Sequence, residues 1–254
     1  MTKRHHETPP NPFSDGMFVV VDKPKGWTSF DVVNRFRWLL CKALGIKRIK
    51  VGHAGTLDPL ATGLVVLCTG KYTKRIEEVQ LMPKTYETTL HLGATTPSYD
   101  LETEVDSRHP YEHITEQMIR EVLEGFVGSI RQVPPLFSAV NVGGTRAYEL
   151  ARKGSDLELP AKEVMIHDIK IKRVELPEVE LEVTCGKGTY IRSLARDIGR
   201  ALGSGAHLTM LRRTKVGSFD VEGGLVPEDF ENYIQNRLNQ QDGTTSELNN
   251  CVLE

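Results

Sequence analysis

The residues best able to do chemistry lie between Val51 and Gly70, in the run VGHAGTLDPLATGLVVLCTG. Gly52, Gly55, Gly63 and Gly70 permit tight backbone paths there. Asp58 stands directly before Pro59, which biases it toward an extended conformation and away from a helix. From Lys23 to Arg75 the chain carries 11 Lys/Arg against only two acids, Asp31 and Asp58. A lone carboxylate among cations is held ionised, the state that a nucleophile or general base needs. A turn aspartate bonding its own backbone would have the same sequence setting, so at this point both readings stand.

Other familiar chemistries are excluded by spacing. Gly70-Lys71 is not a P-loop: Val65 stands where the first glycine is required, and Tyr72 replaces the Ser/Thr. There is no GxSxG elbow and no HExxH. His109 and His113 lie four apart in a polar stretch without a carboxylate or cysteine cluster of metal-site type. Cys41, Cys68, Cys185 and Cys251 form no CxxC pair, so neither a disulfide framework nor a zinc ribbon is expected, and a reducing cytoplasm is the natural setting.

Several elements must position Asp58. Met17–Asp22 and Leu64–Thr69 are short valine-rich runs, read as strands. Thr85–Leu92 and Val179–Cys185 alternate, and Glu163–Val174 alternates with a break near His167–Asp168 that reads as a bulge. Ser29 is read as the cap of a helix carrying Val33, Phe36, Leu40 and Leu44, and Thr115 as the cap of a second helix ending before Gly128. A third helix, Tyr190 to Leu202, turns Ile191, Leu194, Ala195, Ile198 and Leu202 inward and puts Arg192, Arg196 and Arg200 on a different face. Strands and helices mix without βαβ alternation, so the class is α+β.

The 254 residues suit one large domain, and 39% hydrophobic with 26% charged residues excludes both a disordered chain and a membrane protein. The net charge of −2 hides a segregation: Lys23–Arg75 carries +9, Gly186–Lys215 carries +6, and the remainder carries −17. Such a pattern suits a basic face for a polyanion. Residues 1–13, with three prolines and no signal-peptide core, are expected to form a tail, 14–235 the domain, and 236–254 a polar C-terminal tail.

The motifs resemble one family. GHAGTLDPLATG resembles the catalytic motif of the TruB family of tRNA pseudouridine synthases, in which the aspartate is catalytic. KPKGWTS (23–29), KTYE (84–87), VPPLFSAVNVGGTRAYELARKG (133–154), CGKGTYIRSLARDIG (185–199) and HLTMLRRTKVGSF (207–219) are similar to the family's other motifs, in family order. The resemblance implies a mixed, largely antiparallel sheet flanked by helices and loops. It also implies isomerisation of uridine 55 in the tRNA T loop, with no cofactor and no metal. The stacked base would be flipped out, detached from its ribose, turned and rejoined through carbon. Attack on base C6 and a glycal route at the sugar both remain open.

The resemblance also assigns roles position by position. Asp58 matches the catalytic aspartate and Arg192 the arginine that pairs with it. Tyr86 matches the tyrosine that stacks on the flipped base and is a candidate for proton transfer. Tyr190 matches a second pocket tyrosine, Leu211 an apolar wall, and His53 the histidine that fills the space vacated by the base. Lys23 and Pro24 match a motif supporting the site, and Asp100 matches an aspartate near bound RNA, although an acidic surface loop is an alternative there.

Many relatives carry a PUA-type RNA-binding domain after the L-R-R-T motif. Only 35 residues follow Phe219 here, so no full PUA domain is expected and the core itself must grip the RNA. The expected partner is the T stem-loop of tRNA. No membrane, guide RNA or obligate protein partner is expected, and the protein is expected to be a monomer. The competing reading is a tRNA-folding factor that opens and re-forms the T loop without chemistry; the presence of Asp58, Tyr86, Tyr190 and Arg192 favours the enzyme.

Overall fold

The computed structural model describes residues 11–242, apart from Ala139, residues 154–156 and Glu158. In chain order the strands are β1 (Phe18–Lys23), β2 (Val51–His53), β3 (Thr62–Thr69), β4 (Lys84–Leu92), β5 (Ala94–Thr95), β6 (Ser107–Arg108) and β7 (Gly128–Gln132), then β8 (Asn141–Val142), β9 (Thr145–Arg146), β10 (Lys162–Glu175), β11 (Glu178–Cys185), β12 (Ala206–Val216) and β13 (Phe219–Asp220). The α-helices are α1 (Pro12–Asp15), α2 (Ser29–Leu44), α3 (Ile76–Leu81), α4 (Glu116–Glu124), α5 (Ala147–Arg152), α6 (Ile191–Ala201) and α7 (Phe230–Asp242).

Nine strands form one sheet in the order β1-β3-β12-β4-β11-β10-β7, with β2 added to β3 and β13 to β12. Only the β3–β12 pair is parallel, so the sheet is mixed and largely antiparallel, as expected for an α+β chain. β3 reads as an unbroken apolar run because both its faces are covered. Val65 and Leu67 join the main core, while Leu64, Val66 and Cys68 join a smaller one with Val79 and Val216. Against the main core lies α6, with Leu194, Ala195, Ile198 and Leu202 buried.

The register sets a row of residues across the sheet. Lys23 pairs with Gly63, Gly63 with Arg213, Arg213 with Tyr86, and Tyr86 with Val183. Gly63 is obligatory in that row: its φ is +102°, and a Cβ there would stand 2.3 Å from the Arg213 carbonyl oxygen. The loop of Asp58 leaves β2 and re-enters the sheet through β3 immediately before this row.

Several sequence expectations change. The cap of α2 is Thr28, not Ser29: Thr28 and Asp31 form a reciprocal capping box. Ser29 is instead buried, its hydroxyl taking the Leu57 amide at 2.8 Å. Thr115 does cap α4, but the helix stops at Gly125 rather than running toward Gly128. The break in β10 is present as a register shift between Ile166 and Asp168. The arginine face of α6 is not uniformly solvated, because Arg192 and Arg196 are buried. At the N-terminus, residues 1–10 lie outside the described residues, but Phe13 is buried against Phe36 and Tyr233 and belongs to the core. At the other end α7 continues to Asp242, into the segment read as a tail, and residues 243–254 lie outside the described residues.

Candidate active site

The loop carrying Asp58 is held from beneath by side chains that have no access to solvent. Arg213 is 1% exposed and gives its Nε to the Leu64 carbonyl at 2.8 Å, Nη2 to Gly55 at 3.1 Å and Nη1 to Thr56 at 3.4 Å. Lys23 is fully buried, and its Nζ donates to the carbonyls of Trp27, Pro24 and Pro59 at 2.7, 3.1 and 3.3 Å. These bonds tie the two buried cations to carbonyls of the loop and its flanks; the Pro59 carbonyl also accepts the Gly26 amide at 2.8 Å. Ser29 closes the third side by donating to the Leu57 carbonyl while accepting its amide.

Arg192 comes from the first turn of α6. Its Nε lies 2.9 Å from Asp58 Oδ2 and 3.6 Å from Asp100 Oδ2. The contact is a close charge pair rather than an aligned hydrogen bond, since Nε–H points at neither carboxylate. Nη1 and Nη2 donate to the Ser98 and Phe137 carbonyls at 3.2 and 2.9 Å. The Arg192 side chain is 4% exposed, whereas that of Asp58 is 38% exposed, so the buried cation fixes one side of a carboxylate that is open on the other. Asp100 is also buried, and its Oδ1 accepts the Glu102 amide at 2.9 Å; it is part of the charge network, not of an acidic surface loop.

Asp58 stands where two cavities meet. The larger, about 300 Å³, is lined among others by Tyr86, Lys84, Arg213, Ser138, Lys187 and Tyr190. The smaller, about 30 Å³, is bounded by Lys25, Leu60, Leu101 and Met210. Asp58, Arg192 and Leu211 line both. Lys25 belongs to one basic sequence segment and Lys187, Arg192 and Arg213 to the other, so the fold brings both segments to the site.

Burial sets the proton affinities. It raises the Tyr86 phenol above its ordinary value, against the opposing pull of the Arg213 guanidinium, so Tyr86 stays protonated. Burial likewise raises Tyr190, with the Ser138 hydroxyl acting the other way. It lowers Lys23 to about 8 despite the nearby Asp58 charge, and lowers Lys84 to about 8 with help from Arg213. Burial also lowers His53, keeping its imidazole neutral, with a buried Nδ1 that has no partner among the described residues.

Of the eight site residues expected from the sequence, Asp58, Tyr86, Arg192, Tyr190, Leu211 and Asp100 line the two cavities. Lys23 lies behind the Asp58 loop as a support, and His53 stands at the end of β2, outside the lining of both cavities. Sequence reasoning misses Arg213, although it is two residues beyond Leu211 in a motif that the resemblance singles out, and misses Ser29 by reading it as a cap. Among the described residues no group of three or more His, Cys, Asp or Glu is placed to hold a metal ion.

The chain is similar to known proteins over most of its length. A family model described as the TruB family pseudouridylate synthase N-terminal domain matches residues 42–191, and one described as the tRNA pseudouridylate synthase B C-terminal domain matches residues 192–254. A protein of Phocaeicola vulgatus named tRNA pseudouridine synthase B is 57% identical over 222 residues, covering 87% of this chain and 94% of that protein. A Bacteroides thetaiotaomicron protein of the same name is 54% identical over 234 residues, covering 91% and 98%. Among solved structures, a chain of a Cbf5-Nop10-Gar1 complex superposes with a TM-score of 0.67 at 29% identity. The match covers 92% of this chain but only 58% of that one. A chain from an H/ACA RNP bound to a substrate RNA containing 2'-deoxyuridine gives a TM-score of 0.63 at 27% identity, covering 92% and 57%.

Proposed function

The chain belongs to the TruB family of pseudouridine synthases, and from that premise we propose that it converts uridine 55 in the T loop of tRNA to pseudouridine. The observation that carries this reading is Asp58 itself: an open carboxylate at the meeting of two cavities, 2.9 Å from a buried arginine. The reaction breaks the bond from ribose C1' to base N1 and makes one from C1' to C5. The C5 proton leaves and N1 gains one, so substrate and product are isomers and no redox partner is consumed.

A stacked base cannot reach Asp58, so the nucleotide is flipped into the larger cavity. There the Tyr86 ring stacks on it, Leu211 and Tyr190 bound it, and the Asp58 carboxylate meets the base or the ribose. Tyr86, kept protonated by burial, is the candidate to exchange a proton at C5. His53, neutral and unpartnered at Nδ1, occupies the space the base leaves. Arg192 sets its buried positive charge beside the Asp58 carboxylate, 2.9 Å from Oδ2.

The protein acts on tRNA, as a monomer in the cytoplasm, without a guide RNA. Relatives named tRNA pseudouridine synthase B, matched over 94% and 98% of their lengths, support the tRNA substrate. No described helix is long and apolar enough to cross a membrane. The test is to incubate purified protein with unmodified tRNA and map pseudouridine by carbodiimide-primed reverse-transcription stops. A single new stop at position 55 is expected. A stop elsewhere overturns the assigned target, and an intact uridine with a remodelled T loop would indicate a folding factor instead.

A further inference from the structure

Tyr99 is the one non-glycine residue with positive φ among the described residues, at +62°. A tyrosine in that conformation is strained and is kept there only by its surroundings. Its chain neighbours both touch Arg192: Ser98, whose carbonyl accepts Nη1 at 3.2 Å, and Asp100, whose carboxylate lies 3.6 Å from Nε. The strained residue therefore sits at the turn that delivers both groups to the catalytic pair.

The surroundings that hold Tyr99 come mainly from α6. Arg196, one turn after Arg192 and 6% exposed, places its guanidinium 4.9 Å from the Tyr99 ring centroid and donates Nη1 to the hydroxyl at 3.3 Å. Its Nε is held by Asp197 at 2.8 Å, and Nη2 donates to the Val133 carbonyl at 3.3 Å. Backbone bonds from Leu208 to the Tyr99 carbonyl, 2.9 Å, and from Tyr99 to the Thr96 carbonyl, 3.1 Å, fix the peptide on either side. Arg196 lines neither cavity, so it does not face a base bound there.

We propose that Arg196 and Tyr99 form a positioning clamp: by holding the strained turn against α6, they keep Ser98 and Asp100 on Arg192, and so keep the Arg192 guanidinium beside Asp58. The clamp rests on the function proposed above for Asp58 and Arg192. Being one helical turn apart on a rigid α6, Arg192 and Arg196 move together, and the turn carrying Asp100 is gripped at two points rather than one.

The test compares Arg196→Met, Tyr99→Gly and the double variant by single-turnover and steady-state kinetics on tRNA, with folding verified by circular dichroism. Glycine adopts φ +62° freely, so Tyr99→Gly deletes the side chain without adding strain. Each single variant is expected to lose about tenfold in kcat with KM within about twofold, and the double variant to lose no more than either. In an Asp100→Asn background Arg196→Met should cost less than it does alone, the Ser98 contact being all that the clamp then holds. A loss of thermal stability with kcat unchanged, or losses that multiply in that background, would overturn the clamp. The Arg192 Nε–H signal of arginine-labelled protein, assigned by its disappearance in Arg192→Lys, gives a second readout that needs no turnover. It should shift in both single variants; a stationary signal contradicts the clamp. Were the wild type to form no pseudouridine, the functional reading would fail while this signal still decided the clamp.

Discussion

Arg192 reaches Asp58 across 2.9 Å from a position where its own side chain is 4% exposed, while 38% of the Asp58 side chain remains open. The asymmetry separates support from reaction: the cation is fixed by the Ser98 and Phe137 carbonyls and the anion is left one free face. Replacing Arg192 by Met removes those bonds and leaves the buried Asp100 carboxylate without its cation. We expect a loss of about 3 kcal/mol in stability, as for breaking a buried ion pair. We also expect a fall in kcat of at least about a hundredfold, since Asp58 loses orientation as well as charge stabilisation. Urea unfolding and single-turnover kinetics measure the two effects; a variant of wild-type kcat would remove Arg192 from the site.

Gly63 supports the same loop through backbone packing. Ala at this position meets the Arg213 carbonyl oxygen at 2.3 Å and must hold φ +102°, and its neighbour is backbone in the middle of β12 that has nowhere to move. Gly63→Ala is expected to cost at least about 3 kcal/mol. Gly188 has φ +88°, but nothing lies within 4 Å of the place a Cβ would take, so Gly188→Ala should cost only about 1–2 kcal/mol of backbone strain. Urea midpoints rank the two; equal costs would contradict the close approach of β3 and β12.

Much of this architecture is legible in the sequence. β3, β4 and β11 follow from apolar runs and alternation, and the β10 bulge shows as a break in alternation. β12, at the centre of the sheet, does not, because register shifts at Leu208/Met210 and Arg213/Lys215 interrupt its period of two and place charged side chains inward. Arginine burial is the other blind spot. Arg213 looks like a solvated cation because its acceptors are backbone carbonyls of distant segments, which leave no pattern in sequence, and Arg196 does so because the Tyr99 ring and Val133 carbonyl that cover it are equally distant in the chain. Ser29 misleads for a simpler reason: Thr28 beside it is an equally good cap, and Asp31 completes a box only with Thr28.

Two buried lysines make stability depend on pH in a defined direction. Lys23 and Lys84 titrate at about 8 in the folded chain against an ordinary 10.5. Between those values the unfolded chain binds more protons, so stability rises with pH through the window. Below it both states are protonated and the cost of burying charge is present in full. Urea unfolding of wild type and Lys84→Met from about pH 7 to about pH 10.5 measures this. The difference should move in favour of wild type as pH rises, and a constant difference would show that Lys84 keeps its ordinary affinity.

Lys47, Arg48 and Lys50 are exposed on the segment between α2 and β2. Each phosphate neutralised by such a residue releases a counterion, so tRNA affinity should fall with salt at a log–log slope on the order of −3 to −6. Reversing all three charges should weaken binding and flatten that slope while sparing turnover at saturating tRNA. Filter binding across a salt series provides the check, and an unchanged slope would place the RNA path elsewhere.

Asp58 is the group proposed above to act in rebuilding the glycosidic bond of a uridine in tRNA. Each turnover expels the C5 hydrogen, so tRNA labelled with tritium at C5 releases one equivalent of label per pseudouridine formed. Release is expected to be stoichiometric with the wild type and absent with Asp58→Asn, with tRNA affinity of the variant within about tenfold because binding comes from phosphate contacts. Release by Asp58→Asn at the wild-type rate, or none by the wild type, would contradict that role.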